Sequence, residues 1–247
     1  MKDMSMEDNR NLDLLASWIR ESKYTVVLTG AGMSTESGIP DFRSKDGWWK
    51  NIDPTTVAST YALEKQYDLF RDFYIMRINT LKYCKPHFGH KILADWEKRG
   101  LVHCIATQNV DGFHQEAGSK NVYELHGNIR TVRCEDCSDD GKLEDFIMKK
   151  NCSSCGGRLR PNVVLFGESL PYDDLNSTME AIRKADLVIV IGTSLQVYPV
   201  NQLPDLCKGK KAYINLDIDF HSKYFDLALK GKAGDTLLNI EKHLTKY

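Results

Sequence analysis

A short apolar run closed by a glycine pair constrains this chain more than any other feature. Tyr24–Thr29 reads Y-T-V-V-L-T, uncharged and mostly β-branched or apolar. That is the pattern of a strand buried on both faces of a parallel sheet. Gly30-Ala31-Gly32 ends it. Two glycines around one small residue allow a sharp turn and a close approach of backbone to a ligand. Such a turn after a buried strand is where doubly wound α/β proteins hold phosphates. The dinucleotide fingerprint G-x-G-x-x-G is not met, because five residues separate Gly32 from Gly38. A lone G-x-G is equally compatible with a tight turn that binds nothing. The residues that follow favour a ligand: Ser34, Thr35, Glu36, Asp41 and Arg43, crowded around Pro40 and Phe42, are too polar and stiff for a plain crossover helix.

The rest of the chain alternates helices and strands. Asn11–Ser22 carries Leu12, Leu15, Trp18 and Ile19 at helical spacing. Residues 44–86 are rich in aromatics, among them Trp48, Trp49, Tyr61, Phe70, Phe73 and Tyr74. They read as a partly helical excursion above the sheet, either a functional lid or a structural subdomain. An amphipathic helix is expected at His87–Lys98 with Gly100 behind it, then a strand at Leu101–Thr107 and a short piece at Val122–Leu125. A helix at Asp174–Ala185, capped by Asp173 or Asp174, precedes strands at Leu187–Ile191 and Lys211–Leu216 and a closing helix at Asp235–Leu244. This alternation predicts βαβ units and a parallel sheet.

Composition excludes more than it assigns. A formal net charge of −1 gives no electrostatic case for binding nucleic acid or a membrane surface. The polar, acidic start does not read as a signal peptide, and the longest apolar run, Leu187–Ile191, is too short to cross a bilayer. Of seven cysteines, four form C-x-x-C pairs, Cys134/Cys137 and Cys152/Cys155, with 14 residues between the pairs. Two knuckles at that spacing predict a tetrahedral four-thiolate zinc site in a reducing, cytoplasmic setting. Four sulfurs leave no open position, so the metal would be structural; a redox dithiol pair is the alternative reading.

Four strand ends carry small or polar residues: Gly30–Gly32, Thr107-Gln108-Asn109-Val110-Asp111, Gly192-Thr193-Ser194 and Ile214–Asp217. Such groups bond ribose and phosphate without adding net charge, although Ser, Thr and Asn also end strands for local reasons. His126 follows a short strand and precedes Gly127. An unperturbed imidazole titrates where a general base must. No Ser-His-Asp elbow and no H-E-x-x-H competes with it.

The stretch G-A-G-M-S-T-E-S-G-I-P-D-F-R resembles the signature of the sirtuins, the NAD-dependent protein deacylases, and the likeness covers nearly the whole chain. It implies a Rossmann-like doubly wound parallel sheet with a smaller zinc-ribbon and helical lid domain. Residues 1–43, 87–127 and 161–247 would form the first, and 44–86 with 128–160 the second. It further implies that Ala31, Thr35, Phe42 and Arg43 lie against the nicotinamide ribose and pyrophosphate. Gln108 would hold the ribose, and Asn109, Val110 and Asp111 the nicotinamide pocket. Thr193 and Ser194 would bind phosphate, Asn215 the adenosine ribose, and Asp235 would lie near adenine. His126 would be the catalytic base and Asn109 would order a water. P-N-V-V-L-F-G-E (161–168) resembles the strand that pairs with an extended acyl-lysine peptide, with Val164 and Phe166 walling the lysine tunnel and Gly167 giving main-chain bonds. The bland reading of that strand is core, for which Val163 and Leu165 would serve.

By the same resemblance NAD is consumed rather than used as a hydride carrier. The acyl oxygen attacks the anomeric carbon, nicotinamide leaves, and free lysine and 2′-O-acyl-ADP-ribose result. Mono-ADP-ribosyl transfer to a protein side chain is the competing activity, and a non-catalytic NAD or zinc-ribbon module the competing class. Tyr74 and Arg77 in F-Y-I-M-R resemble the pair that reads the distal carboxylate of succinyl- or malonyl-lysine, and Ala58 resembles the small residue that widens that pocket. An arginine snorkelling beside a tyrosine is the alternative for so short a motif.

Overall fold

The computed structural model describes residues 6–41, 52–218 and 222–246. Phe42, Arg43, Trp48 and Trp49 therefore lie outside the described residues. Strands β1 (Thr25–Thr29), β2 (Cys104–Thr107), β3 (Val122–Glu124), β4 (Gly127–Cys134), β5 (Asp140–Gly141), β6 (Leu159–Val163), β7 (Leu187–Ile191), β8 (Lys210–Asn215) and β9 (Leu227–Lys230) form two sheets. The helices are α1 (Met6–Glu21), α2 (Pro54–Val57), α3 (Thr60–Lys65), α4 (Tyr67–Leu81), α5 (Phe88–Lys98), α6 (Phe113–Ala117), α7 (Leu143–Ile147), α8 (Tyr172–Lys184) and α9 (Ala233–Leu244).

The larger sheet has the order β3-β2-β1-β7-β8-β9, and every pairing in it is parallel. The chain enters at the centre, builds outward through β2 and β3, then returns to the other side of β1. This reversal opens a crevice at the carboxyl ends of β1 and β7. Every residue of β1 and β7 is buried, as their unbroken apolar runs require. Alternate side chains serve opposite faces. Val27, Ile105, Ile189 and Ile214 pack under α1, α5 and α9 with Leu15, Ile19, Leu93, Trp96, Leu237 and Ile240. Val26, Leu28, Val188 and Val190 pack with Ala181 and Ile182 of α8. The Trp96 indole also donates to Glu241, 2.7 Å, tying α5 to α9.

The smaller, antiparallel sheet runs β5-β4-β6. Phe70, Tyr74, Phe146, Val132, Leu159 and Val163 give it its own apolar cluster, shared with α3, α4 and α7. Neither β4 nor β5 is expected from the sequence. β4 reads G-N-I-R-T-V-R-C and shifts register between Asn128 and Val132, so its alternation is interrupted. Helix starts also differ from expectation: α1 begins at Met6, before the expected Asn11. α8 begins at Tyr172 behind Pro171, which puts Asp173 and Asp174 in its first turn, where the helix dipole favours them, rather than at the cap. α9 begins at Ala233, so Asp235 lies within its first turn.

Candidate active site

The glycine turn after β1 is fastened to the turn after β7. Gly30 N donates to Ile191 O (3.0 Å) and Gly32 N to Gly192 O (2.8 Å). A Cβ on Gly32 would lie 2.8 Å from Gly192 Cα, and Gly192 holds φ +63°. The glycines thus first serve the close approach of two backbones; ligand access is a consequence. Glu36, further along the same loop, accepts from Gly234 N at the start of α9 (2.6 Å).

Above these turns is a cleft of about 680 Å³. Its walls include Ala31, Thr35, Gln108, Asn109, Val110, His126, Thr193, Ser194 and Asn215, which the sequence reading assigned to it. Val164, Phe166 and Gly167 line it, as do Ala58, Tyr74 and Arg77. Asp111 joins Ala31, Asn109 and Arg77 around a smaller adjoining recess. Asp235 is exposed and is not among the lining residues; Lys232 and Ala233 are.

Hydrogen bonds fix the polar side chains before any ligand arrives. Gln108 Nε2 donates to Thr193 Oγ1 (2.9 Å), and Asn215 Nδ2 to the Tyr213 hydroxyl (2.7 Å), which itself donates to Thr193 O (2.9 Å). Asn109 Nδ2 donates to Gly30 O (3.0 Å) and Ser34 Oγ (3.1 Å), and the Ser34 hydroxyl donates to Asp111 Oδ2 (2.7 Å). Burial raises the Asp111 pKa, opposed by bonds from Phe113 N and Ser34 and by the charges of Arg130 and Arg77. His126 Nδ1 lies 3.1 Å from Gln108 O. A carbonyl can only accept, so Nδ1 carries the proton and Nε2 keeps its lone pair. Burial lowers the His126 pKa, which keeps the ring neutral near pH 7.

The sequence reading missed the support beneath this site. Ser34 lies 3.4 Å from His90 Nε2, while His114 Nε2 bonds Thr29 Oγ1 (2.9 Å). Burial pushes His90 down to about 2 and His114 to about 3. The only hint in the sequence is His87 and His90, three apart at the start of α5, which says nothing of partners this remote.

Tyr74 is fully buried, and burial raises its pKa to about 12. The Arg77 guanidinium lies 5.7 Å from the centroids of both the Phe73 and Tyr74 rings, and burial pulls its pKa down. From the end of β6 onward, Val163 and Leu165 are buried in the core cluster, Val164 is half-buried and Phe166 exposed, and all four border the cleft.

Cys134, Cys137, Cys152 and Cys155 place their sulfurs within 4.8 Å of one another. Cys134–Cys155 is 3.5 Å and Cys137–Cys152 is 3.7 Å. Four thiolates about 2.3 Å from one zinc ion would be separated by roughly 3.8 Å, so the donor set and its spacing fit that ion. Asp136 N and Gly157 N donate to the Cys134 and Cys155 sulfurs, both 3.4 Å.

Residues 30–199 match the Sir2 family. The chain belongs to the Sir2 family. It is 53% identical to NAD-dependent protein deacetylase 1 of Geobacillus kaustophilus over 199 residues, 80% of this chain and 82% of that one. It is 40% identical to NAD-dependent protein deacylase 1 of Archaeoglobus fulgidus over 94% of this chain and 97% of that one. A solved structure of Sir2 with a p53 peptide and NAD+ superimposes with a TM-score of 0.86 at 34% identity, covering 97% of this chain and 98% of that one. The Sir2 fold thus accounts for the parallel sheet and the cysteine-bearing module together. Among the described residues no helix is long and apolar enough to cross a membrane.

Proposed function

We propose that this Sir2 protein is an NAD-dependent protein lysine deacylase that releases nicotinamide, free lysine and 2′-O-acyl-ADP-ribose. The observation that carries the reading is His126: a neutral imidazole on the cleft wall, its Nδ1–H held by Gln108 O and its Nε2 left to accept a proton. NAD supplies the ribosyl carbon that the acyl oxygen attacks once the nicotinamide bond breaks. Ala31, Thr35, Thr193, Ser194 and Asn215 hold phosphate and ribose through neutral donors. Gln108 positions the ribose, and Val110 and Asp111 line the nicotinamide recess. Asn109, anchored on Gly30 O, orders the water for hydrolysis. His126 takes the proton from a ribose hydroxyl as its oxygen attacks the acyl carbon. Asp235 has no part in this reading, and Phe42 and Arg43 lie outside the described residues.

The substrate is an extended peptide whose main chain adds to the edge at Gly167, with the acyl-lysine entering between Val164 and Phe166. Arg77 and Tyr74, which line the same cleft as the small Ala58, suit an acyl group that ends in a carboxylate, which an arginine fork binds well. The four cysteines hold a structural zinc ion, which supplies folding energy and no chemistry. We divide the chain as expected, with 44–86 and 128–160 forming a unit apart from the NAD-binding remainder. The four thiolates suit a cytoplasmic setting.

Mass spectrometry of products from acetyl- and succinyl-lysine peptides with NAD tests the reading. Free lysine with O-acyl-ADP-ribose is expected. An ADP-ribosylated protein would indicate transferase activity instead, and no turnover a binding module.

A further inference from the structure

Turn 165–168 carries the edge offered to the peptide, and most of its main chain is already engaged. Val164 N donates to His126 O (2.9 Å), and Phe166 N to Ala58 O (2.9 Å). Phe166 O accepts from Thr60 N (3.1 Å), and Leu165 O from Glu168 N (3.0 Å). Leu165 N donates to the Glu168 carboxylate (2.8 Å). Among the described residues the N–H and C=O of Gly167 make no such bond. Gly167 is exposed, with φ +98°, a conformation that disfavours any other residue.

What holds this turn is a wholly buried arginine. Arg160, on β6, donates Nη1 to Glu168 Oε1 (2.6 Å) and Nη2 to Glu168 Oε2 (2.9 Å). Its Nη2 also donates to Val163 O (2.8 Å), and its Nη1 to Glu135 Oε2 (3.3 Å). Its side chain is 0% exposed, that of Glu168 24% and that of Glu135 40%. Glu135 follows Cys134 inside the first cysteine knuckle. One rigid fork thus grips the peptide-side turn and the metal knuckle together. Buried ion pairs contribute little net stability compared with apolar replacements. Their best-attested service is to fix one arrangement among several.

We propose that Arg160 is a positioning residue: through Glu168 it sets the Gly167 edge for the incoming peptide, and through Glu135 it ties that edge to the cysteine module. The proposal rests on the peptide-deacylase reading for what docks at Gly167. Integrity of the metal site then reaches the peptide edge through a guanidinium, although no cysteine touches the cleft.

The test uses the full zinc-loaded chain as wild type, Arg160→Lys, Glu168→Gln and Glu135→Gln. Lysine keeps the charge but lacks the fork, and Glu168→Gln covers the case in which the arginine variant does not fold. Zinc content, thermal midpoint, KM for NAD, KM and kcat for an acetyl-lysine peptide, and peptide affinity by fluorescence anisotropy are read together. For Arg160→Lys and Glu168→Gln, peptide KM should rise on the order of ten- to a hundred-fold, the scale of a 1 Å misplacement, with NAD KM and zinc content unchanged. Glu135→Gln should keep its zinc and show a smaller rise in the same direction. Peptide KM unchanged in the first two variants, or rising in step with NAD KM, overturns the positioning role. An unchanged peptide KM in Glu135→Gln overturns the link to the knuckle. If wild type binds the peptide but releases no deacylated product, the deacylase reading fails instead, and anisotropy still reports the clamp.

Discussion

The two sheets keep their shape by different means. The six-stranded sheet is gripped on both faces mainly by aliphatic side chains, and every residue of its two central strands is buried. The three-stranded sheet is short and irregular. Its ends are set by four thiols and by a buried guanidinium with two carboxylate partners. Apolar packing is distributed, so losing one contact removes a part of it. A four-ligand site or a charged fork is concentrated, so losing one member leaves the others mispaired. The cleft lies where the two meet; in the proposed reading the nucleotide binds on the side of the robust sheet and the peptide on the side of the fragile one.

The largest effect should therefore come from the cysteines. Cys152→Ala, or a chelator strong enough to remove zinc, should abolish activity and lower the thermal midpoint, because binding and folding of such a site are coupled. Much of the helical circular dichroism should survive, since α1, α5, α8 and α9 pack on the other sheet. A zinc-free protein that stays folded and fully active would remove the contrast drawn between the sheets.

Where the two sheets meet, His126→Ala should cost chemistry without costing structure. A general base typically contributes about 10²- to 10⁴-fold, so kcat should fall by that order while NAD binding and the thermal midpoint hold. Substantial activity in the purified variant would place the base elsewhere. Wild-type kcat/KM should rise with pH along a limb centred below the ordinary imidazole value, because burial lowers the His126 pKa. A limb centred above it would contradict the neutral, buried ring.

Arg77→Met probes the peptide side for selectivity. Losing one partner of a buried charged hydrogen bond costs about 2–5 kcal/mol, so the succinyl-over-acetyl ratio of kcat/KM should drop steeply while deacetylation changes little. A ratio unmoved by the substitution, or a wild type that ignores succinyl-lysine, makes Arg77 a packing residue stacked on Phe73 and Tyr74.

The same contrast explains which parts could be read from the sequence. Buried parallel strands announce themselves as apolar runs, so β1 and β7 were visible to within a residue of their ends. The cysteine spacing announced its ligand set, and the strand-end residues from Gln108 to Asn215 fell on one cleft wall because a doubly wound sheet gathers its carboxyl ends. β4 stayed hidden because a register shift breaks its period. Arg160 stayed hidden because its partners come from a knuckle and a turn, and nothing in L-R-P-N-V marks that arginine as buried. His90 and His114 look like ordinary polar positions on helices. Their partners Ser34 and Thr29 lie 56 and 85 residues away, a separation no local pattern encodes.

Those two histidines give the smallest effect at neutral pH. Each is buried neutral, with a folded pKa pushed to about 2 for His90 and about 3 for His114. In the unfolded chain both would titrate near 6.5. A depressed folded pKa means that the unfolded state binds the protons first as pH falls. The stability they contribute is therefore complete above about pH 6.5 and declines below it, down to the folded values. The slope approaches about 1.4 kcal/mol per pH unit for each ring well below 6.5. Urea midpoints of the wild type should hold from pH 8 to 7 and fall between pH 6 and 4.5. In His90→Asn the fall should be shallower, because one proton-binding site is gone. Midpoints flat down to pH 4.5, or an equal slope in the variant, would mean that acid does not act through this pair, and that the polar layer beneath the cleft tolerates charge.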